Sequence, residues 1–244
     1  MSERCALITG ASRGIGAEIA RRLAGEGYDL ALVARRAPGL SSFADQIRAE
    51  FGVQVREIAA DLSDEAGVRR VATEHLDTFD RLDVLILNAG LGHYAPITES
   101  TMKNYDLTFN LNVRSAYMLL QDLLPLLRKS ASTAPERGAK VVALASIAGV
   151  HPEAGLAAYG ASKSALISLC DTVTLEEGEH GVTATALSPG FVDTDMTAWL
   201  DEPRTGMITT ADVAELAVAL THLSANAAVG NIVIARRNSD PRRP

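Results

Sequence analysis

The segment "ITGASRGIG", residues 8–16, joins a short apolar run to an amphipathic stretch and is the part of the chain that decides its fold. Glycine has no Cβ atom, so a glycine-rich turn lets backbone amides approach a pyrophosphate closely. The helix that follows adds free N–H groups and the positive end of its dipole. A plain turn could have the same composition, but the position between a strand and a helix predicts a dinucleotide site. The residues assigned to this turn are Gly10, Ser12, Arg13, Gly14, Ile15 and Gly16.

Short apolar runs alternate with longer amphipathic stretches along the chain. The predicted strands cover residues 5–9, 29–34, 53–59, 83–88, 140–146, 182–188 and 231–235. The predicted helices cover residues 14–26, 40–51, 64–78, 101–128, 157–178 and 210–223. Most strands are continuous apolar runs, which is typical of a parallel sheet covered on both faces. The alternation predicts an α/β fold: a Rossmann-type, doubly wound, parallel seven-stranded sheet with helices on both faces and ligands at the strands' carboxyl ends.

The organisation of the 244 residues indicates one NAD(P)-binding domain over residues 1–244, because neither a repeat nor an interdomain linker interrupts the alternation. The polar segment 129–140 is predicted to be a surface loop. The basic segment 236–244 is expected to be a solvated tail.

Composition excludes several classes of function. The formal net charge of -7 argues against nucleic acid as the main partner. No apolar run reaches the roughly 18 residues that a membrane span needs, and the first apolar run breaks at once into "TGASRGIG", unlike a secretion signal. The five histidines show no ligand spacing with cysteines, so no metal site is predicted. Two cysteines in apolar segments without paired spacing indicate a reducing compartment, and we expect a cytoplasmic protein.

The end of the second predicted strand favours NADP(H) over NAD(H). An NAD site usually has a carboxylate there, which holds both ribose hydroxyls. This chain has "LVARRA" instead, with Arg35 and Arg36 and no acid. Guanidinium groups suit a 2′-phosphate through charge-assisted, paired hydrogen bonds, and Arg13 in the glycine turn could reach the same phosphate.

Four motifs in one order make the chain similar to a known family. These are "TGASRGIG", "NAG" at residues 88–90, Ser146, and "YGASK" from Tyr159 to Lys163. Together they resemble the short-chain dehydrogenase/reductase family over about residues 4–235. The segment "SPGFVDTDM", residues 188–196, resembles the 3-oxoacyl-[acyl-carrier-protein] reductase branch, whose relatives act on many other ketones and alcohols.

The resemblance implies a catalytic group. Tyr159 would be the general acid and base, Lys163 its activator, and Ser146 the group that binds the carbonyl oxygen. Asn112 matches the helix asparagine that holds a water in the proton relay, with Asn110 as a nearby alternative. A lysine at i+4 lies on the same helix face as the tyrosine, and its charge is expected to lower the phenol's pKa from about 10 toward neutral pH. The implied reaction is hydride transfer between NADP(H) and a ketone or aldehyde, or the matching secondary alcohol, with a 3-oxoacyl thioester as one candidate for the ketone.

The resemblance also implies a set of cofactor contacts and a substrate lid. Beyond the glycine turn, Arg35 and Arg36, the implied contacts are Asp61, Leu62, Asn88, Ala89, Gly90, Tyr159, Lys163, Pro189, Gly190, Val192 and Thr194. Residues 194–208 would form a short lid, with Trp199, Leu200, Met207 and Ile208 as its apolar side chains. The partner implied is a small-molecule or carrier-tethered substrate, with no nucleic acid and no membrane. A homodimer through the helices at 101–128 and 157–178, or a homotetramer, is expected.

Other interpretations stay open at this point. One is an NAD-dependent alcohol dehydrogenase that works in the oxidative direction. Another is a non-catalytic dinucleotide-binding regulatory protein, which would not need the complete proton relay. The sequence leaves the roles of His93, His151 and Glu153 undecided, since loop polarity explains them equally well.

Overall fold

The computed structural model describes residues 4–197, 204–237 and 239. These residues form a seven-stranded, wholly parallel sheet in the order β3-β2-β1-β4-β5-β6-β7, which confirms the predicted fold class. The strands are β1 (Cys5–Thr9), β2 (Asp29–Ala34), β3 (Val55–Ala59), β4 (Val84–Leu87), β5 (Ala139–Leu144), β6 (Val182–Pro189) and β7 (Asn231–Ile234).

Helices connect successive strands and cover both faces of the sheet. Within the described residues the α-helices are α1 (Gly14–Gly25), α2 (Ala37–Phe51), α3 (Glu65–Thr78), α4 (Met102–Phe109), α5 (Ser115–Thr133), α6 (Ala157–Glu177) and α7 (Thr210–Thr221). Helices α1, α2 and α7 share one buried apolar cluster with the sheet. Helices α3, α5 and α6 share the other.

The continuous apolar strands follow from this three-layer arrangement. Successive side chains of a strand point to opposite faces of the sheet. In β1, Cys5 and Leu7 enter the cluster beneath α3, α5 and α6, whereas Ala6 and Ile8 enter the cluster beneath α1, α2 and α7. Because both faces are covered, every position of the strand is buried, and all but the last, Thr9, are apolar.

The strand order places a crevice at the carboxyl ends of β1 and β4. The chain runs outward from β1 to β2 and β3, then returns to β4 on the other side of β1. Loops after β1 and β4 therefore leave the sheet in opposite directions and open a ligand site between them. The glycine turn and the "NAG" segment follow these two strands.

The surface loop predicted over 129–140 is wrong at both ends. Helix α5 continues to Thr133, and β5 already begins at Ala139. Tertiary packing outweighs the polar composition of this stretch. The Ser130 hydroxyl is buried and accepts a hydrogen bond of 2.8 Å from the backbone amide of Leu82. The Thr133 hydroxyl donates to the carbonyl of Ser130. Only the short segment between Thr133 and Ala139 connects the helix to the strand.

Two helices differ from those expected by more than the shifts of one or two residues at other element ends. Helix α2 begins at Ala37 rather than residue 40, and Pro38 lies in its first turn, where a proline costs no helical hydrogen bond. The helix predicted over 101–128 is divided: a π-helical segment, Asn110–Arg114, separates α4 from α5. Such segments interrupt the regular hydrogen-bond ladder and occur frequently at functional sites.

The described part of the chain has no helix that combines the length and apolar character needed to cross a membrane. In the same residues no group of three histidine, cysteine or acidic side chains is placed to hold a metal ion. Cys5 and Cys170 are both free and buried.

Candidate active site

An open cleft of about 1310 Å³ runs along the carboxyl edge of the sheet. Its walls are the segments that follow β1, β2, β3, β4, β5 and β6, together with the start of α6. All the residues expected at the cofactor except Gly16 line this cleft, as do Ser146, Tyr159 and Lys163. The structure therefore brings residues from the ends of six strands and from the start of α6 to one site.

The glycine turn has the conformation that its composition suggests. Gly10 and Gly14 have φ angles of 67° and 58°, in the left-handed region that L side chains rarely adopt. Gly16 serves packing and does not line the cleft. A Cβ atom on Gly16 would lie 2.4 Å from the carbonyl oxygen of Gly10 and 2.5 Å from Nδ2 of Asn88, so any side chain there would displace the turn.

Asn88 and Thr9 fasten the turn to the end of β4. Nδ2 of Asn88 donates hydrogen bonds to the carbonyl oxygens of Thr9 (2.8 Å) and Gly10 (3.1 Å). The Thr9 hydroxyl accepts from the backbone amides of Asn88 (2.9 Å) and Ala89 (3.0 Å) and donates to the carbonyl of Ile86. Thr9 was not among the predicted site residues, although it is the first residue of the "TGASRGIG" motif.

The three arginines of the cofactor region have different surroundings. Arg35 and Arg36 follow β2, are exposed and line the cleft. Arg13 forms a 2.6 Å ion pair with Asp195, in the segment after β6. The Arg13 guanidinium is therefore already engaged by a carboxylate, a partner 182 residues away that the sequence did not indicate.

Asp61 lies in the cleft wall after β3. Its Oδ1 accepts hydrogen bonds from the hydroxyl (2.7 Å) and the backbone amide (2.9 Å) of Ser63. These bonds, with a smaller contribution from the charge of Arg35, hold the pKa of the Asp61 carboxyl below its usual value. The carboxylate is thus ionised and oriented by its own turn.

Ser146, Tyr159 and Lys163 meet where β5 ends and α6 begins. Ser146 lies just after β5, and its Oγ accepts a hydrogen bond of 3.2 Å from the backbone amide of Ala148. The Ser146 side chain is close enough to the Tyr159 phenol to affect its pKa, and Oγ of Ser146 donates to the carbonyl of Pro189 at 3.5 Å. One turn further along α6, Nζ of Lys163 lies 5.6 Å from the centre of the Tyr159 ring.

Burial controls the ionisation of this group. The pKa of Lys163 falls from 10.5 to about 8, because the buried ammonium loses its hydration. The pKa of Tyr159 is raised above its usual value of 10, since burial penalises the phenolate more than the nearby Ser146 hydroxyl stabilises it. The expected lowering of the phenol's pKa by Lys163 is therefore wrong for the chain by itself. Nζ of Lys163 donates to the carbonyl of Leu144 at 2.6 Å rather than to the phenol.

Glycines around the pair bring the surrounding loops close to α6. A Cβ atom on Gly92 would lie 2.9 Å from Cδ2 of Tyr159. A Cβ atom on Gly149 would lie 2.7 Å from the backbone carbon of Lys163, and one on Gly160 would lie 2.7 Å from the carbonyl oxygen of Ala148. The small residues near Tyr159 and Lys163 thus allow a close approach that larger residues would prevent.

Asn112 lies in the π-helical segment and is 1% exposed. Its side-chain amide exchanges two hydrogen bonds of 2.9 Å with the backbone amide and carbonyl of Leu91, and Nδ2 also donates to Oγ of Ser162. A Cβ atom on Gly90 would lie 3.2 Å from both Oδ1 of Asn112 and Nζ of Lys163. Asn112 therefore lies near Lys163 and positions the segment after β4, but it does not line the cleft.

The segment after β6 folds back over the glycine turn. The amide of Gly190 donates to the carbonyl of Ile234 at 2.9 Å. The Thr194 methyl carbon lies 3.5 Å from the point where a Cβ of Gly14 would be. Pro189, Gly190, Val192 and Thr194 line the cleft as expected.

The predicted lid is only partly covered by the structure. Trp199 and Leu200 lie outside the described residues. Ile208 does not cover a substrate as expected: it is buried in the core cluster of α1, α2 and α7, and its amide donates to the carbonyl of Phe191. Met207 is half-buried. The pairing of the segment with the β6 extension explains the difference, since Val192 and Ile208 form an isolated β-bridge.

The comparison with protein families accords with this geometry. Residues 4–205 match the model of the family described as short chain dehydrogenase. The chain belongs to this family. The chain is therefore a short-chain dehydrogenase/reductase, as its motifs indicated.

Two relatives of this short-chain dehydrogenase/reductase have names that state different substrates. The chain is 38% identical over 199 residues to the rhamnolipids biosynthesis 3-oxoacyl-[acyl-carrier-protein] reductase of Pseudomonas aeruginosa, covering 81% of this chain and 76% of the relative. It is 36% identical over 190 residues to the sorbitol dehydrogenase of Cereibacter sphaeroides, covering 78% of this chain and 71% of the relative.

Solved structures give a similar result. The Pseudomonas aeruginosa RhlG/NADP active-site complex superposes with a TM-score of 0.85 and 33% identity, over 96% of this chain and 95% of that one. Other similar structures, at 27% to 29% identity, are complexes with NADP or NADPH. One at 27% identity is described as an NADH-dependent reductase.

Several cleft residues of this short-chain dehydrogenase/reductase were not assigned from the sequence. Glu153 and His93 line the cleft, whereas their roles had been left undecided. His151 does not line it. Arg236, expected in a solvated tail, is half-buried, with its guanidinium carbon 5.0 Å from the centre of the Phe191 ring. The tail beyond it, at residue 238 and residues 240–244, lies outside the described residues.

Proposed function

We propose that this short-chain dehydrogenase/reductase uses NADP(H) to reduce a ketone or aldehyde carbonyl, or to oxidise the matching secondary alcohol. The observation that carries the proposal is the group of Ser146, Tyr159 and Lys163 at one end of the cleft. Two neighbouring hydroxyls and a buried ammonium in one open cleft are groups that can stabilise and protonate a carbonyl oxygen during hydride transfer.

The cofactor assignment rests on two features of this chain. Gly10 and Gly14, in left-handed conformations, form a turn that leaves room for a pyrophosphate at the N-terminus of α1. Arg35 and Arg36 face the same cleft after β2, where an NAD site usually has a carboxylate. The similar structures solved with NADP or NADPH support the same choice.

The residues would divide the chemistry as follows. NADPH, when bound, supplies the hydride. Ser146 and Tyr159 donate hydrogen bonds to the carbonyl oxygen, and Tyr159 delivers the proton as negative charge develops there. The raised pKa of Tyr159 keeps the phenol protonated at neutral pH, which suits a general acid. Lys163 holds a positive charge one turn away, and Asn112 holds the segment after β4 in place.

The relatives support particular substrates to test first. The 38% identical 3-oxoacyl-[acyl-carrier-protein] reductase supports a 3-oxoacyl thioester. The sorbitol dehydrogenase supports a polyol or the matching ketose. The alternative enzyme is an NAD-dependent alcohol dehydrogenase. The similar structure described as an NADH-dependent reductase supports this alternative.

The experiment is the oxidation of NADPH by the purified protein with 3-oxoacyl thioesters, ketoses, cyclic ketones and aldehydes. Tyr159→Phe is the control, because it removes the proton donor and leaves the ring that packs against Gly92. We expect NADPH-dependent turnover that falls by at least about 100-fold in the variant. Tight NADPH binding without turnover on any class would favour the non-catalytic, dinucleotide-binding alternative. A higher kcat/KM with NADH than with NADPH would favour the NAD-dependent enzyme.

The proposal includes a cytoplasmic homodimer or homotetramer. Helices α4, α5 and α6 expose large apolar side chains that an interface would cover, and Leu175 is 85% exposed. The others on these helices are Met102, Tyr105 and Tyr117.

A further inference from the structure

Glu153 lies between β5 and α6, six residues before Tyr159, and lines the substrate end of the cleft. Its backbone carbonyl accepts a hydrogen bond from the amide of Leu156 at 3.2 Å, which fixes the turn that leads into α6. Its Oε2 atom is buried and has no hydrogen-bond partner among the described residues. A buried acceptor without a partner is uncommon in a folded protein and costs free energy, so it requires an explanation.

The charge of Glu153 acts on the reacting group. Its carboxylate contributes to the raised pKa of Tyr159. Burial raises the pKa of Glu153, and the positive charge of Arg236 opposes that change. The Arg236 guanidinium lies over Phe191, which also lines the cleft. The carboxylate is therefore close enough to both the phenol and the guanidinium to interact with them electrostatically.

These surroundings limit what can satisfy Oε2. Arg236 already supplies a positive charge, so a cationic substrate group would be repelled by it. An anionic group would be repelled by the carboxylate itself. An apolar group would leave the buried oxygen unsatisfied. A neutral hydroxyl group avoids all three penalties, because it can donate a hydrogen bond to a carboxylate without adding charge.

We propose that Glu153 is a specificity-determining residue that selects carbonyl substrates bearing a hydroxyl group close to the reacting carbonyl. The inference rests on the proposed function, since it places the reacting oxygen at Tyr159 and the hydroxyl at Oε2 of Glu153. The substrate class is that of hydroxy ketones and ketoses, with diols and polyols in the oxidative direction.

The test compares two ligands of similar shape, 2-hydroxy-2-methylcyclohexanone and 2,2-dimethylcyclohexanone, which differ by a hydroxyl in place of a methyl group. Binding is measured by ligand-observed NMR titration of the protein loaded with NADP+, which can neither reduce the ketone nor oxidise the tertiary alcohol. We expect the wild-type protein to bind the hydroxy ketone at least about ten-fold more tightly, as for a buried hydrogen bond to a charged group. In Glu153→Leu the difference should shrink to less than about two-fold.

Glu136→Leu is the matched control, because Glu136 is exposed in the turn between α5 and β5 and does not line the cleft. It should keep the wild-type ratio. Equal binding of the two ketones by the wild-type protein would overturn the inference, and that result needs no variant to fold. An unchanged ratio in a folded Glu153→Leu protein would also overturn it.

A second measurement separates this inference from the proposed reduction. NADPH oxidation with both ketones, ketoses and the aldehyde panel, with Tyr159→Phe as control, reports on the reaction alone. Turnover that depends on Tyr159, without discrimination in binding, overturns only the role of Glu153. Discrimination in binding that depends on Glu153, without turnover on any carbonyl, supports the hydroxyl site and overturns the reductase assignment.

Discussion

Nζ of Lys163 donates a hydrogen bond of 2.6 Å to the carbonyl oxygen of Leu144, which ties helix α6 to the last residue of β5. This bond holds the lysine beside Tyr159 while the rest of the side chain is 4% exposed. Burial at this point lowers the pKa of Lys163 to about 8, because the single carbonyl replaces only part of the lost hydration. The charge of the ammonium is therefore sensitive to pH in the range where an enzyme works.

This pKa predicts the alkaline limb of the pH profile. Below a pH of about 8 Lys163 is charged, and above it the amine becomes neutral and no longer supports the developing charge at Tyr159. We expect kcat/KM for reduction to be level near pH 7 and to fall as the pH rises through about 8. Initial rates with NADPH and the best carbonyl substrate between pH 6 and about 10 would show the limb.

The variant Lys163→Arg tests whether Lys163 is the group whose titration causes the alkaline limb. Arginine stays charged throughout this range, so the limb should vanish, while kcat/KM falls by about 100-fold because the larger guanidinium does not fit the same contact. Lys103→Arg, on the exposed start of α4, should leave the profile unchanged. The same limb in Lys163→Arg would mean that another group titrates near pH 8.

Gly92 offers a test of how closely the segment after β4 must approach Tyr159. An added Cβ would lie 2.9 Å from Cδ2 of Tyr159, which is shorter than real Cβ contacts, so the ring or the loop must move. We expect Gly92→Ala to lower kcat/KM by about ten-fold or more, since a small misplacement of a catalytic group has a large effect on rate. The melting temperature should change little.

Gly178→Ala is the control for Gly92→Ala. Gly178 lies at the end of α6 with a φ of -57°, it does not line the cleft, and an added Cβ meets nothing within 4 Å. It should keep full activity. If Gly92→Ala is also fully active, the close packing of Gly92 on Tyr159 does not set the geometry of the proton donor.

Much of the fold follows from local sequence. The strands could be predicted because both faces of the sheet are covered, so an apolar run such as "CALIT" marks a buried strand directly. The glycine turn and the "YGASK" motif could be placed because one lies between a strand and a helix and the other lies at the start of a helix. Features formed by distant residues could not be predicted. Arg13 pairs with Asp195 and Arg236 stacks on Phe191, and each contact depends on how separate segments pack.

The same reason explains the misassigned pKa of Tyr159. Sequence spacing places Lys163 one turn from Tyr159, but it does not reveal that the ammonium donates to Leu144 or that the phenol is buried. The direction of a pKa shift depends on the balance of burial against nearby charge. That balance needs the three-dimensional surroundings of both groups.

Arg35 and Arg36 are expected to determine the preference for NADPH over NADH. Replacing both by alanine removes the positive charges that would face a 2′-phosphate, and NADH lacks that phosphate. We expect the double variant to bind NADPH about ten- to 100-fold more weakly, with the Kd for NADH changing by less than about three-fold. Fluorescence titration of both cofactors at fixed salt measures the two values.

Arg137→Ala is the control for the loss of surface charge, since Arg137 is exposed in the turn before β5 and does not line the cleft. It should bind both cofactors as the wild-type protein does. An equal loss of affinity for NADPH and NADH in the double variant would show that the arginines do not read the 2′-phosphate. The NAD-dependent alternative would then gain support.

The buried imidazole of His75 is expected to make the free energy of unfolding depend on pH. The side chain is fully buried in α3, its Nε2 lies 3.2 Å from the carbonyl of Arg81, and its Nδ1 has no hydrogen-bond partner among the described residues. Burial lowers the pKa of His75 from 6.5 to about 4. The unfolded chain therefore binds a proton near pH 6.5, whereas the folded chain binds it only near pH 4. Acidification between these values favours the unfolded state.

The stabilising contribution of neutral His75 is complete above pH 6.5 and is lost as the pH falls toward 4. A difference of this size in pKa corresponds to about 3 kcal/mol of unfolding free energy across the window. Urea unfolding between pH 7.5 and about 4.5 measures it, with His75→Gln as the non-titrating variant. The wild-type protein should lose more stability on acidification than the variant does. Parallel pH dependence in the two proteins would show that His75 is hydrated or protonated in the folded state.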